Sequence, residues 1–263
     1  MRTPGVNLSA PFRLPAASQP GWIKICGITR VEDALLAAEC GAHAIGFIFA
    51  PSPRRLSPEA ARAIIEKLPA EVLPVGVFVN ASAEEMLEVA RRSGVRALQL
   101  HGHEDAGIAA DCQNFLCIKS LLIPPEARIA FRRPPVPDLP SDTDKTPDFE
   151  HYPELKRDYL GWRDRADAFL YEQKRDSRAG AAGETFPATR RWIYAGRLFA
   201  ESAAGIIRTL HPWGVDVSSG IESSPGVKDP GKLRAFIANA RAAFQAMTNT
   251  PAEFTAATRK VSS

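Results

Sequence analysis

Trp22-Ile23-Lys24-Ile25-Cys26-Gly27-Ile28 passes through Thr29-Arg30 into the run Val31–Cys40 and stops at Gly41, and this stretch decides the architecture. It reads as a β-strand running into a helix, with Gly27 and Thr29 turning the chain between them. Gly41 stands where a helix C-cap belongs. Alternation along a strand puts Lys24 and Cys26 on one face and Ile25 on the other. A thiol at a strand's C-terminal end, with an ammonium two residues back on the same face, is expected to titrate below a free cysteine. The plainer reading is a small buried cysteine packing a strand end.

The same unit recurs along the chain. Strands are predicted at Trp22–Ile28, Ala44–Ala50, Leu73–Asn80, Ala97–Gly102, Leu116–Ile123, Asp167–Gln173, Trp192–Leu198 and Gly214–Ile221. Helices are predicted at Val31–Cys40, Ser57–Leu68, Ser82–Ser93, Asp105–Asn114, Ala200–Leu210 and Pro230–Met247. Ser57-Pro58 has the form of an N-cap followed by proline at the first helical position. The strands are dense in Ile, Val, Leu and Phe, as when both faces are covered. Strand–helix alternation through eight strands predicts an α/β fold, a closed (β/α)8 TIM barrel in one domain, with an open doubly wound sheet as the alternative. The 263 residues suit one such barrel.

Two regions break the rhythm. Residues 132–165 are rich in Pro, Asp and Lys and read as an inserted surface loop between strands five and six, with a short helix near Glu154–Trp162. About five residues separate Phe186 from Trp192, too few for a full helix six, which is expected to be eroded. The barrel is assigned to residues 21–247, with an irregular extension over 1–20 and a disordered tail over 248–263.

Composition narrows the function. A formal net charge of +3, scattered along the chain, argues against a nucleic-acid surface. No apolar run approaches the roughly 20 residues that cross a bilayer, so no membrane partner is expected. Pro4, Pro11, Pro15 and Pro20 break up the N-terminus, which has no signal-peptide core. Cys26, Cys40, Cys112 and Cys117 lack metal-ligand spacing, and reduced thiols in the cytoplasm are expected. His101 and His103 have no partner at ligand spacing; a polar site residue or a surface pair suits them better than a metal.

In a parallel barrel the chemistry gathers at the loops after each strand's C-terminal end. This sequence places Cys26 there, then Pro51-Ser52-Pro53-Arg54-Arg55, Gln99-Leu100-His101-Gly102 and Tyr171-Glu172-Gln173. Three small-residue loops follow: Gly180-Ala181-Ala182-Gly183, Ala195-Gly196-Arg197-Leu198, and Asp216-Val217-Ser218-Ser219-Gly220. Backbone N–H groups in such loops approach a phosphate closely, so a phosphorylated substrate is expected.

Together, Lys24–Thr29, Ser52-Pro53-Arg54, Gln99–Gly102 and the run Val215–Asp229 resemble the phosphoribosylanthranilate isomerase family of tryptophan biosynthesis; residues 22–102 and 192–240 carry the resemblance. It implies a (β/α)8 barrel that rearranges an aminoaldose to an aminoketose, an Amadori reaction, without metal or cofactor. It also implies a small phosphosugar substrate and a monomer or homodimer. On this resemblance Cys26 is the general base at the sugar C2 and Arg54 holds the anthranilate carboxylate. Asp216 lies near the substrate amine, and His101 is a substrate-binding residue. Gly180, Gly183, Gly196, Ser219 and Gly220 hold the phosphate.

The departures cluster. The family's acid is an aspartate in a Leu-Leu-Asp run, and here Phe169-Leu170-Tyr171-Glu172 puts the carboxyl of Glu172 one methylene farther out. The usual Gly-Gly-Thr/Ser-Gly is Gly180-Ala181-Ala182-Gly183, and the usual Ala-Gly-Gly-Leu carries Arg197 at its third position. Arg197 either closes the loop or adds a charge-assisted bond to phosphate. Two functions stay open: a working isomerase with Glu172 as acid, or a catalytically impaired barrel retained as a phosphate-ligand binding or interaction protein. Lys24 is expected to form a buried ion pair with an inward carboxylate, Asp216 being the candidate.

Overall fold

The computed structural model describes residues 12–123, 129–131, 152–173, 184–186 and 190–249. Eight parallel strands close into a barrel: β1 (Trp22–Ile25), β2 (Ala44–Ile48), β3 (Leu73–Phe78), β4 (Ala97–Leu100), β5 (Leu116–Ile123), β7 (Ala168–Gln173), β9 (Trp192–Ala195) and β10 (Gly214–Val217). Around the ring the order is β1, β10, β9, β7, β5, β4, β3, β2. Among the described residues four further short strands make two small sheets. β6 (Ile129–Phe131) pairs with β8 (Glu184–Phe186), and β11 (Glu222–Ser224) pairs with β12 (Val227–Lys228).

Period-two alternation divides the buried side chains into two cores. Trp22, Ala44, Val75, Ile118, Leu170 and Ile193 fill the barrel itself. Ile23, Ile25, Phe47, Leu98, Phe169 and Val215 point outward against the helices. The helices are α1 (Val31–Cys40), α2 (Pro58–Ile65), α3 (Ala83–Ser93), α4 (Pro153–Trp162), α5 (Ala200–Leu210) and α6 (Pro230–Asn249). Their ends follow local chemistry: Ser57 Oγ accepts from the Ala60 N–H, Ser82 and Glu85 form a capping box, and Gly41 and Gly94 adopt the left-handed C-cap.

Several boundaries move. Most barrel strands stop two or three residues before their predicted ends, the residues beyond Ile25, Ile48, Phe78 and Leu100 leaving the ladder for loops. The helix predicted over Asp105–Asn114 shrinks to a 3-10 turn, Ala106–Ala110, which buries no side chain and whose start is capped by Asp105 on the Gly107 N–H at 2.7 Å.

The inserted segment is not wholly an excursion. Within it, α4 is the crossover helix from β5 to β7, because Leu155, Tyr159 and Trp162 bury one face against the barrel. Between β7 and β9 no helix occurs among the described residues; β8 lies there instead. α6 runs two residues beyond the predicted Met247. Residues 250–263, and 1–11 of the extension, lie outside the described residues. The rest of the extension closes the barrel's N-terminal end: Leu14 joins the interior core, and Ala16 O accepts from Trp213 Nε1 at 2.9 Å.

Candidate active site

Parallel strands all present their C-terminal ends at one mouth of the barrel, and the inward register there brings polar residues together. β1 and β10 pair with Lys24 opposite Asp216. Lys24 Nζ donates to Asp216 Oδ2 at 2.8 Å, with Lys24 fully buried and Asp216 7% exposed. This is the ion pair that the inward alternation predicts. Burial would pull the Lys24 ammonium down, but Asp216 and then Cys26 raise it, so it keeps its charge.

Cys26 follows on the same face at 8% exposure. The expected depression of its thiol does not occur. Burial pushes the thiol up, and the Lys24 ammonium offsets only part of that. Spacing along a strand gives the neighbouring charge but not the depth at which the sulfur sits. Gly46 of β2 makes room for the group. A Cβ there would lie 2.7 Å from Cys26 Sγ and 3.0 Å from Lys24 Nζ. A glycine inside a strand is a signal of close approach that the motif reading passed over.

Arg54 crosses Gly27, where a Cβ would meet the arginine Cδ at 2.6 Å. Its Nε and Nη2 donate to Glu222 Oε1 and Oε2 at 2.8 and 2.6 Å, a bidentate pair. Lys228 Nζ donates to the same carboxylate at 2.9 Å and to Ser218 O at 3.1 Å. Burial would raise Glu222, but Arg54 and Lys228 pull it down to about 2. Two cations on one carboxylate leave a net positive charge at the rim. The sequence showed Glu222 and Lys228 only as members of a motif.

On the far wall, β4, β5 and β7 contribute a second cluster. His101 Nε2 lies 2.6 Å from Glu172 Oε2. Its Nδ1 lies 2.8 Å from Ser120 Oγ and 3.0 Å from Gln99 Nε2. Glu172 is 37% exposed and His101 23%. His103, by contrast, is on the surface, 3.7 Å from Asp158. On the outer face of β5, Lys119 Nζ donates to Glu104 Oε2 and to Gly102 O, both at 2.6 Å, while Glu104 accepts from the Asn80 and Gly102 N–H groups. Three buried side-chain oxygens at this mouth have no hydrogen-bond partner among the described residues: Gln99 Oε1, Asp216 Oδ1 and Ser218 Oγ.

Of the expected phosphate loops, Gly180 and Gly183 lie outside the described residues. The other two abut. A Cβ on Gly220 would run into the Leu198 carbonyl, and Ser219 is exposed beside it. Gly196 and Arg197 are both left-handed, at φ 90° and 50°. Cys26, His101, Glu172 and Asp216 thus face one interior, with Arg54 at its edge.

A family profile described as N-(5'-phosphoribosyl)anthranilate isomerase matches residues 23–135 and 176–239. The chain belongs to this family. A phosphoribosylanthranilate isomerase of Chlorobaculum tepidum is 38% identical over 243 residues, 86% of this chain and 98% of its own. A structure of monomers generated from the dimeric phosphoribosylanthranilate isomerase of Thermotoga maritima matches with a TM-score of 0.64 at 31% identity, covering 84% of this chain and 98% of its own. A phosphoribosylanthranilate isomerase in complex with reduced 1-(o-carboxyphenylamino)-1-deoxyribulose 5-phosphate matches with a TM-score of 0.63 at 33% identity and the same coverage. The matched isomerase segments hold Cys26, Arg54, His101 and Asp216, whereas Glu172 falls in the gap between them.

Proposed function

We propose that the chain isomerises N-(5'-phosphoribosyl)anthranilate to 1-(o-carboxyphenylamino)-1-deoxyribulose 5-phosphate in tryptophan biosynthesis, with Glu172 as general acid and Cys26 as general base. The observation that carries these roles is that both side chains face the barrel interior at its C-terminal mouth, on strands three steps apart around the ring. The acid protonates the furanose ring oxygen as the C1–O bond breaks, leaving a Schiff base whose electron demand acidifies the C2–H. Cys26 takes that proton, the C2–H electrons form an enolamine, and its tautomerisation gives the ketose. Acid and base must reach opposite ends of this short path, which a barrel mouth allows.

The remaining groups have places in the same scheme. Asp216 Oδ1, buried and unpartnered, is set to accept from the substrate amine. Arg54, whose Nη1 is not engaged by Glu222, is the group for the anthranilate carboxylate. Gly196, Ser219 and Gly220, with Gly180 and Gly183, are assigned to the phosphate. The partner is this small phosphosugar; neither nucleic acid nor membrane is required, and a monomer or homodimer in the cytoplasm suffices. The experiment is to mix the purified protein with phosphoribosylanthranilate and follow the loss of its anthranilate-type fluorescence. Turnover that falls about a hundredfold in Glu172→Gln and about a thousandfold or more in Cys26→Ala supports the assignment. Absence of turnover in the parent chain would leave the alternative, an impaired barrel retained for binding.

A further inference from the structure

We propose that His101 is a positioning residue for Glu172: its Nε2–H holds the carboxyl that this chain carries one methylene farther out, and sets where the proton is delivered. The inference rests on the reading of Glu172 as the acid. Its basis is an asymmetry between the two partners. The His101 ring is fixed from several directions. Nδ1 meets Ser120 Oγ at 2.8 Å and Gln99 Nε2 at 3.0 Å, from strands β5 and β4. The His101 N–H donates to Phe78 O at 2.8 Å, and the Gly102 N–H that follows donates to Glu104, itself held by Lys119 at 2.6 Å. Glu172 is the more exposed of the pair, on a side chain with one more rotatable bond.

With the ring proton on Nε2, Nδ1 accepts from Gln99 Nε2 and Ser120 Oγ. Nε2 then donates to Glu172 Oε2 across 2.6 Å. Asp216 lies within electrostatic reach of both His101 and Glu172. Shortening the acid therefore does not restore a better geometry. An aspartate at this position draws its carboxyl back from Nε2, and misplacement by about 1 Å costs on the order of a hundredfold in rate.

The test compares the parent enzyme with His101→Ala, His101→Gln, Glu172→Asp, Glu172→Gln and the double variant His101→Ala/Glu172→Asp, in kcat and KM. His101→Ala is expected to lower kcat by about 10- to 100-fold with KM within about twofold. His101→Gln, which keeps an N–H near the Nε2 position, is expected to recover about tenfold of that loss. Glu172→Asp is expected to lower kcat to a similar extent, and adding His101→Ala to it to cost less than about twofold more. The proposal is overturned if Glu172→Asp raises kcat, or if His101→Ala raises KM at unchanged kcat. It is equally overturned if the two losses multiply, or if Gln rescues nothing. Full turnover in Glu172→Gln would remove the acid reading itself, a different outcome from any of these.

Discussion

The base corner and the acid corner of this barrel face each other but are built on opposite terms. Around Cys26, Lys24 and Asp216 are almost fully enclosed, and the buried ion pair is complete at 2.8 Å. Around Glu172, the carboxyl and its imidazole partner are partly open to solvent. A buried charge that loses its partner is stranded in a poorly polarisable interior, whereas a half-exposed one is rescued by water. The base side therefore has little freedom to vary. The acid side can lengthen its carboxylate, and it lies in the stretch that the family profile leaves unmatched.

Cys26→Ala is the strongest way to break that comparison. It removes the base at small structural cost, and kcat is expected to fall on the order of a thousandfold or more with the thermal midpoint nearly unchanged. Retained turnover in the fluorescence assay would place the base elsewhere. Since burial raises this thiol, the base limb of kcat/KM is expected to continue upward past the ordinary value of 9.0 rather than level off below it. Lys24→Met next strands Asp216 and is expected to cost about 3–5 kcal/mol in urea unfolding. A loss under about 1 kcal/mol would contradict the enclosure of the pair. Glu172→Gln, its counterpart across the mouth, is expected to lower kcat about a hundredfold while stability moves by no more than about 0.5 kcal/mol.

Acid titration sharpens the rim of the base side. Glu222 is depressed in the folded protein from an ordinary 4.5 to about 2. Its contribution is thus fully present above the unfolded value and is lost as pH falls toward the folded one. Unfolding followed from pH 5 to pH 2 is expected to show a stability loss that is shallower in Glu222→Gln. Parallel curves for the two proteins would mean that Arg54 and Lys228 do not hold this carboxylate.

What was legible in the sequence follows from how local its cause is. The βα period placed every barrel strand to within a few residues, and α1 and α5 at both ends, because apolar spacing and caps are written in neighbouring residues. Alternation gave the Lys24–Asp216 pair once the barrel closed. It did not give the direction of the Cys26 shift, since desolvation depends on Gly46 and on walls contributed from far along the chain. The role of α4 was hidden by a Pro-, Asp- and Lys-rich neighbourhood, although Leu155, Tyr159 and Trp162 already carried a helical stripe. Glu222 carries no visible task in the sequence, because its partner Arg54 lies 168 residues earlier and only the fold brings it near.

The smallest effect separates the two readings of Arg197. This side chain is exposed and its backbone lies in the left-handed region at φ 50°, directly after Gly196 at φ 90°. Left-handed backbone costs a residue with a Cβ about 1 kcal/mol and glycine almost nothing. Arg197→Gly is therefore expected to raise stability by up to about 1 kcal/mol, or about 2–4 °C in thermal midpoint for a domain of this size. One reading gives Arg197 a task beside the adjoining loops: a charge-assisted bond to the substrate's phosphate group. On that reading the same substitution raises KM about five- to tenfold while kcat holds. A raised midpoint with unchanged KM would instead make Arg197 a steric closure of the loop, and the acid side would then differ from the base side in its backbone as well as in its exposure.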